Sequence, residues 1–188
     1  PHEPDMKLRA AIVDVETTGL NPAADEVVEL ALVLFGFDPR TGSDIEVLDE
    51  YSGLRDPGLP IPADASRAHG ITDADVRGRK LDEERIRGIL ARSHCLIAHN
   101  APFDRGFVER LFPEARRLPW LCSMEGIGWR SKGFLSKGLQ NLLAAHRIPC
   151  SQAHRALDDA RATLELLARE QPNGKTYLAE LIAHLGLG

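Results

Sequence analysis

Runs of apolar residues along the 188-residue chain predict five β-strands. The first three runs are rich in β-branched residues. Turn-forming sequences, NPAADE and DPRTGSD, separate them, which is typical of an antiparallel meander. Two shorter apolar runs follow later in the chain and belong to predicted βα units. The predicted strands span residues 9–15, 27–37, 45–54, 94–98 and 119–122.

Apolar residues at helical spacing dominate the second half of the chain. The Pro-rich sequence DPGLPIPADASRAHGITDADV has no periodicity, so we expect a long surface loop with a short helix there. The predicted helices span residues 81–92, 102–112, 138–147, 154–170 and 175–185. Together the elements predict an α/β fold in which helices flank a mixed five-stranded sheet, three antiparallel strands coming first and βα units afterwards.

Length and composition favour a single globular domain, with 43% hydrophobic and 27% charged residues. We assign residues 8–188 to that domain and treat residues 1–7 as a disordered leader or expression remnant. No apolar run approaches the roughly 20 residues that span a bilayer, so no membrane association is expected. The three cysteines are odd in number and widely spaced, which favours reduced thiols and a cytoplasmic location.

The net charge of −5 argues against a basic protein that coats duplex nucleic acid. Basic residues nevertheless crowd the middle of the chain. They predict either a local track for a phosphate chain or an ordinary solvated surface. These residues are Arg105, Arg110, Arg116, Arg117, Arg130, Lys132, Lys137, Arg147 and Arg155.

Two acids, Asp14 and Glu16, interrupt the end of the first predicted strand. Successive side chains of a strand alternate between faces, so these two carboxylates lie on the same face. Like charges this close favour a compensating cation, and a divalent metal compensates best. The alternative is that both acids lie in water at the strand end.

Two further acids and a histidine strengthen the metal interpretation. Asp104 falls in the first turn of a helix that Asn100 and Pro102 would start, where the helix dipole alone also favours an acid. Asp159 lies on the flank of the apolar face of the predicted helix 154–170, whereas Asp158 points away from that face. His154 is placed in the loop or first turn before this helix, either as a surface imidazole or as a general base near the carboxylates.

Three blocks in a fixed order carry a family resemblance: VDVETTGL at 13–20, AHNAPFDRGF at 98–107 and HRALDDA at 154–160, with HGIT at 69–72 as a further match. The chain resembles the DEDDh (DnaQ-like) 3′-5′ exonucleases. This family includes the proofreading epsilon subunit of bacterial DNA polymerase III, RNase T and oligoribonuclease. The resemblance runs from about Ala10 to Leu167 and implies an RNase H-like fold.

The resemblance implies roles for five residues. Asp14, Glu16, Asp104 and Asp159 would hold two divalent cations, Mg²⁺ or Mn²⁺, and the residue matching His154 would take a proton from the attacking water. The implied reaction removes nucleoside 5′-monophosphates from the 3′ end of single-stranded nucleic acid. DNA is favoured, in proofreading or repair and with a DNA polymerase or repair partner. A 3′-5′ exoribonuclease of the RNase T or oligoribonuclease type is the alternative.

Neighbours of the acids offer contacts to the substrate. The turn after Glu16 brings backbone N–H groups close to a terminal nucleotide, and Leu20 resembles the family position that wedges against the terminal bases, although it could equally be a core leucine. Phe103 packs near a base or in the core. The predicted substrate-binding residues are Thr17, Thr18, Gly19, Leu20, His69, Asn100 and Phe103.

Rival functions fit the chain less well. A phosphatase with a nucleophilic Asp lacks a lysine-bearing partner motif here and leaves the His-x4-Asp element unexplained. A non-catalytic nucleic-acid-binding or polymerase-associated module would not need all five site residues. A zinc site at Cys150 and His154 lacks a second close Cys/His pair.

Overall fold

A computed structural model describes residues 6–187 and contains one mixed sheet of five strands. The predicted leader, residues 1–7, lies outside the described residues except for Met6 and Lys7, which precede the first strand. The sheet order is β3-β2-β1-β4-β5. The strands are β1 (Leu8–Thr17), β2 (Val27–Asp38), β3 (Ser43–Leu54), β4 (Cys95–Ala98) and β5 (Trp120–Cys122).

Strand β1 occupies the centre of this sheet. It pairs antiparallel with β2 along its length and parallel with β4 through Ala10–Ile12. The outer strands β3 and β5 pair antiparallel and parallel with β2 and β4, respectively. The prediction of three antiparallel strands followed by parallel βα units is therefore confirmed.

Seven α-helices cover the sheet in the described part of the chain. Short 3₁₀ segments at Pro113–Arg117, Arg130–Lys132 and Ala183–Leu185 join or extend them. The helices are α1 (Ala63–His69), α2 (Asp73–Val76), α3 (Glu83–Arg92), α4 (Ala101–Leu111), α5 (Leu139–Ala145), α6 (Ala156–Leu167) and α7 (Tyr177–Ile182).

The two faces of β1 belong to different hydrophobic cores. Ala10 and Ile12 pack with α5, α6 and α7 around the buried Trp129, whereas Ala11, Val13 and Val15 pack with α3 and α4. Asp14 and Glu16 continue the line of Ala10 and Ile12. Their side chains consequently meet helix α6.

The long loop predicted between β3 and α3 contains two helices rather than one. Helix α2 starts at a capping box in which Thr72 and Asp75 exchange side-chain and backbone hydrogen bonds. Ile61, Ile71 and Val76 pack under the loop against Val28 of β2. This small core fixes the segment without any helical periodicity in the sequence.

None of the helices in the described residues is long and apolar enough to cross a membrane. All three cysteines are free thiols.

Candidate active site

Three carboxylates meet where β1 ends. Asp14, Glu16 and Asp159 each place one carboxylate oxygen within 4.8 Å of the others; we refer to these three residues as the acidic cluster. Asp14 and Glu16 come from β1, and Asp159 comes from the first turn of α6, which packs against this face of the sheet. The predicted shared face of Asp14 and Glu16 and the predicted inward orientation of Asp159 are thus observed.

Asp104 belongs to helix α4, on the other side of the sheet, and is not one of the three acids whose carboxylate oxygens lie within 4.8 Å of one another. It is only 2% exposed, and its Oδ1 accepts the backbone N–H of Val15 at 3.2 Å. Because β1 and β4 run parallel, the start of α4 lies at the same sheet edge as the end of β1. The Asp104 carboxylate is close enough to raise the pKa of Asp14 by charge repulsion.

Three hydrogen bonds hold the Asp159 side chain. Its Oδ1 accepts from Gln140 Nε2 at 3.1 Å and from Cys150 Sγ at 3.4 Å, and its Oδ2 accepts the backbone N–H of His154 at 3.0 Å. These donors come from α5 and from the turn before α6. The carboxylate is therefore fixed in place before any ligand arrives.

Burial disfavours the ionised form of all four acids, and repulsion from neighbouring carboxylates adds to this effect at Asp14 and Glu16. Burial is the main cause of the raised pKa values of Asp14, Asp104 and Asp159, and charge repulsion from neighbouring acids adds to the rise at Asp14. The same two causes, burial first, raise the pKa of Glu16 from 4.5 to about 9. A group of acids that resists ionisation in this way is one that a bound cation would stabilise.

One fully buried oxygen of the acidic cluster is unpaired within the described residues. Asp14 Oδ2 is buried and has no hydrogen-bond partner within the described residues. Buried carboxylate oxygens rarely remain unsatisfied without a role, and an ion coordinated there would satisfy this one. All-oxygen donors suit hard divalent cations. The donor set therefore fits the predicted metal ions.

His154 lies beside the acidic cluster, in the turn before α6. Its backbone has a φ of 64° and its side chain is exposed. Its charge lowers the pKa of Asp159, an effect smaller than that of burial. The predicted placement before the helix is observed, since α6 begins at Ala156. Cys150 and His154 form no zinc-type group with further ligands in the residues described, because the candidate metal-binding group there is the acidic cluster.

The turn after Glu16 is a rigid loop. Thr17 Oγ1 donates to the Gly19 carbonyl at 2.6 Å, and Thr18 N–H donates to the Glu26 carbonyl at 2.9 Å. A Cβ atom at Gly19 would collide with the Asp25 carboxylate, which the Asn21 N–H holds at 2.9 Å. A side chain at this position would therefore displace the Asp25 carboxylate from its hydrogen bond with Asn21.

Leu20 projects from this loop with 84% of its surface exposed. This exposure excludes the alternative that Leu20 is a core leucine. Its contact with terminal bases stays a prediction.

His69 is buried, and both of its ring nitrogens form hydrogen bonds with the protein backbone. Its Nδ1 accepts the Ile71 N–H at 3.1 Å, so its Nε2 carries the hydrogen and donates to the Thr17 carbonyl at 3.2 Å. Burial lowers its pKa, which favours this neutral form. His69 thus supports the loop that bears Leu20, and its predicted contact with a nucleotide stays a prediction.

Asn100 and Phe103 lie at the start of α4. Asn100 occupies the N-cap position with a φ of 85°, and its side chain is exposed and makes no capping bond. Phe103 is half-buried, with its ring centroid 5.0 Å from that of Phe107. It therefore packs against the core and still presents part of its ring to solvent. The predicted nucleotide contacts of both residues stay predictions.

Two residues of the site were not predicted from the sequence. Gln140, which donates to Asp159, lies in the predicted helix 138–147, in which no site residue was predicted. Glu29 is 5% exposed and lies opposite Glu16 in the β1–β2 pairing. A lone acid inside the apolar run VVELALVLFGF is the signal that could have identified Glu29, because a buried charge needs a partner.

Most of the central basic residues have carboxylate partners, which favours the surface-charge interpretation over a continuous phosphate track. Arg105 pairs with Glu109, Arg110 with Glu26, and Arg155 with Glu29. Further pairs join Lys132 to Glu180, Lys137 to Glu125 and Arg116 to Glu109.

Comparison with known proteins agrees with this geometry. A sequence model of an exonuclease family, the RNase T family, matches residues 11–167. The chain belongs to this exonuclease family. Membership confirms the resemblance predicted from the three sequence blocks and, at the level of the family, the prediction of a 3′-5′ exonuclease enzyme.

The sequence relatives include DNA polymerase III proteins, and this chain matches only a part of each. The PolC-type DNA polymerase III of Listeria monocytogenes is 33% identical over 165 residues, which cover 82% of this chain and 11% of the relative. A DNA polymerase III subunit epsilon-like protein of Rhodobacter capsulatus is 38% identical over 107 residues, 55% of this chain and 14% of that protein. The chain therefore matches only about a tenth of the PolC-type relatives.

Solved structures share the fold. Exonuclease X in complex with 5′ overhanging duplex DNA superposes with a TM-score of 0.61 at 26% identity, covering 94% of this chain and 91% of that chain. E. coli exonuclease I in complex with a dT13 oligonucleotide gives 0.66 at 22% identity, covering 84% and 40%. These neighbours confirm the predicted exonuclease, RNase H-like fold.

Proposed function

We propose that this chain is a metal-dependent 3′-5′ exonuclease that removes nucleoside 5′-monophosphates from single-stranded DNA. The observation that carries the proposal is the buried, unpaired Oδ2 of Asp14 in a cluster of acids whose pKa values are raised. The DNA polymerase III relatives and the DNA-bound exonuclease structures support DNA as the substrate.

Asp14, Glu16, Asp104 and Asp159 would hold two divalent cations, Mg²⁺ or Mn²⁺. When bound, such ions stabilise negative charge on the attacking and leaving oxygens of an in-line displacement at phosphorus. Each acid gives up its proton to bind the ion, which suits groups that are costly to ionise alone.

His154 is the proposed general base. Its backbone N–H bonds the Asp159 carboxylate, its exposed side chain acts on that carboxylate electrostatically, and the ring would accept a proton from a water molecule bound at the acidic cluster. The imidazole takes the proton of the attacking water, and the neighbouring Asp159 carboxylate stabilises the resulting imidazolium.

The loop from Thr17 to Leu20 binds the 3′-terminal nucleotide in this proposal. The hydrogen bonds of Thr17 and Thr18 fix its backbone, and Leu20 packs against the terminal base. Apolar packing against a base does not depend on its identity, so trimming is expected to be non-specific in sequence.

The test uses a 5′-labelled single-stranded DNA oligonucleotide with Mg²⁺ or Mn²⁺. We expect a descending ladder of products with the parent protein and with Asp158→Ala, the matched control. EDTA or Asp14→Ala should abolish the ladder, and a 3′-blocked substrate should delay it. Absence of products from both DNA and RNA, with folded protein and saturating Mn²⁺, would overturn the proposal. Products from RNA alone would replace DNA by the exoribonuclease alternative.

The replication relatives support a role in proofreading or repair at the 3′ end of a growing strand, with a DNA polymerase or repair partner. Proofreading predicts that a mismatched 3′ terminus is removed faster than a matched one. Equal rates on the two termini, in the absence and presence of a polymerase, would contradict this role.

A further inference from the structure

Helix α6 carries Asp159, and the residue before its N-cap is His154, so the position of its N-terminus decides where both groups lie. The N-cap residue, Arg155, makes no side-chain capping bond. The first backbone N–H groups of a helix have no partner within the helix and must find one elsewhere. In α6, one such partner comes from strand β2 of the sheet.

Glu29 of β2 supplies that partner. Its Oε1 accepts the backbone N–H of Ala156 at 2.7 Å, and its two carboxylate oxygens bind the Arg155 guanidinium, with the closest approach at 2.7 Å. The Glu29 side chain is 6% exposed and that of Arg155 is 37% exposed. One carboxylate therefore binds both the helix backbone and the side chain of its N-cap residue.

The charge of Glu29 makes ionisation of the acidic cluster less favourable. It lies opposite Glu16 in the β1–β2 pairing, and its charge raises the pKa values of both Asp14 and Glu16. A buried fifth carboxylate beside four others destabilises the protein unless its own bonds offset the cost. Within the part of the chain that the structure describes, its side-chain hydrogen bonds go to residues 155 and 156, between His154 and Asp159.

We propose that Glu29 and Arg155 are positioning residues that fix the start of α6, and through it the placement of the His154 imidazole and the Asp159 carboxylate. The connection is continuous. Glu29 holds Arg155 and Ala156, and the His154 N–H, one residue earlier, donates to Asp159 Oδ2 at 3.0 Å. The inference rests on the proposed function, in which His154 and Asp159 act together.

Helix α6 provides its own control. Arg161, less than two turns further along, pairs with Glu50 of β3 through the same kind of two-pronged contact. This second pair also docks α6 onto the sheet, but its side chains are 52% and 29% exposed and it does not hold the segment that carries His154. If both ion pairs act only by docking α6 onto the sheet, Arg155→Ala and Arg161→Ala should reduce activity equally. If the Glu29–Arg155 pair positions His154 and Asp159, only Arg155→Ala should reduce activity.

The first measurement is steady-state kinetics on single-stranded DNA for Arg155→Ala, Glu29→Gln and Arg161→Ala. We expect kcat to fall about tenfold or more in Arg155→Ala, with KM changing less than about twofold. Glu29→Gln, which keeps an oxygen for the Ala156 N–H, should lose less. In a His154→Ala background, Arg155→Ala should cost less than about threefold more, because positioned groups that act together are not additive. Full additivity, or an equal loss in Arg161→Ala, would overturn the inference.

The second measurement is the affinity for Mn²⁺ without substrate, by paramagnetic resonance titration. Removal of a positive charge near the acidic cluster should tighten Mn²⁺ binding by electrostatics alone. Loss of the Asp159 position should weaken it. We expect Arg155→Ala to bind Mn²⁺ about threefold or more weakly than the parent protein, and tighter binding would overturn the inference.

Failure of the proposed nuclease function can be distinguished from failure of the positioning claim. A parent protein that neither degrades nucleic acid nor binds Mn²⁺ would refute the proposed nuclease function. Hydrogen exchange of the His154 amide in metal-free protein then decides the positioning claim. Exchange faster in Arg155→Ala and unchanged in Arg161→Ala supports it, and unchanged exchange in both overturns it.

Discussion

The backbone N–H of His154 donates to the Asp159 carboxylate at 3.0 Å, which ties the proposed general base to a proposed metal ligand. The bond closes a short turn in which His154 has a φ of 64°. The five-residue separation of the two residues, which does not match one helix face, therefore reflects a turn that leads into α6. In the proposed mechanism, one buried acid would therefore serve both as a metal ligand and as an anchor for the base.

Asp14→Asn tests the acidic cluster at its buried, unpaired oxygen. We expect turnover to fall about 10³-fold or more, because loss of a metal ligand removes several kcal/mol of transition-state stabilisation. The melting temperature in EDTA should stay equal or rise, because the amide stays neutral at every pH and adds no repulsion to the neighbouring acids. Asp158→Asn, which changes the neighbouring half-buried acid of α6, should keep both properties. Near-parental turnover by Asp14→Asn would contradict the assignment.

The stability of the metal-free protein should decrease as the pH rises. The pKa of Glu16 is raised from 4.5 to about 9 by burial and by neighbouring acids. Between these values the folded protein keeps a proton that the unfolded chain releases, so the free energy of unfolding falls across this window. Below 4.5 both states are protonated at Glu16, and this contribution is fully present.

Calorimetry in EDTA and in saturating Mn²⁺ checks this pH dependence. Bound Mn²⁺ replaces the protons of the acidic cluster, so the decrease seen in EDTA should disappear. Glu16→Gln should flatten the EDTA curve in part. A melting temperature in EDTA that rises through the same window would refute the prediction.

His154→Ala should reduce kcat by about 10²-fold or more, with part of the loss recovered at higher pH, because hydroxide partly replaces a general base. The pH profile of the ratio of variant to parental rates is the measurement. A ratio that does not vary with pH would argue against the role of base. His184→Ala, which removes another exposed histidine, serves as the control and should match the parent.

Leu20→Ala separates substrate contact from stability. Leu20 is 84% exposed, so the free energy of unfolding should change by less than about 0.5 kcal/mol. KM for single-stranded DNA should rise about threefold or more if the leucine packs against terminal bases. Leu59→Ala, at a 63% exposed leucine in the β3–α1 loop, should leave KM unchanged. An equal effect of the two substitutions would count against a specific contact.

Local patterns predicted much of this molecule, because the strands and α6 follow simple periodicities. Strand alternation placed Asp14 and Glu16 together, and helical spacing placed Asp159 inward and Asp158 away. The two short helices before α3 were harder to predict from the sequence, because a capping box and a small core determine them rather than periodicity.

The contacts that complete the site are long-range and were not predicted. Glu29 lies 126 residues from Arg155 in sequence, and Gln140 lies 19 residues from Asp159. Neither pairing leaves a local pattern. Arg155 itself was counted only as one basic residue among many, although the fold uses it to bind a buried acid.

Anomalous diffraction from crystals of the protein soaked in Mn²⁺ would show whether divalent ions bind at the acidic cluster. We expect anomalous density between the carboxylates of Asp14, Glu16 and Asp159, with Asp14 Oδ2 as a ligand, and its loss in Asp14→Asn crystals. A saturating soak that leaves the acidic cluster without anomalous density, in crystals of folded parent protein, would contradict the claim that these acids are assembled to bind divalent ions.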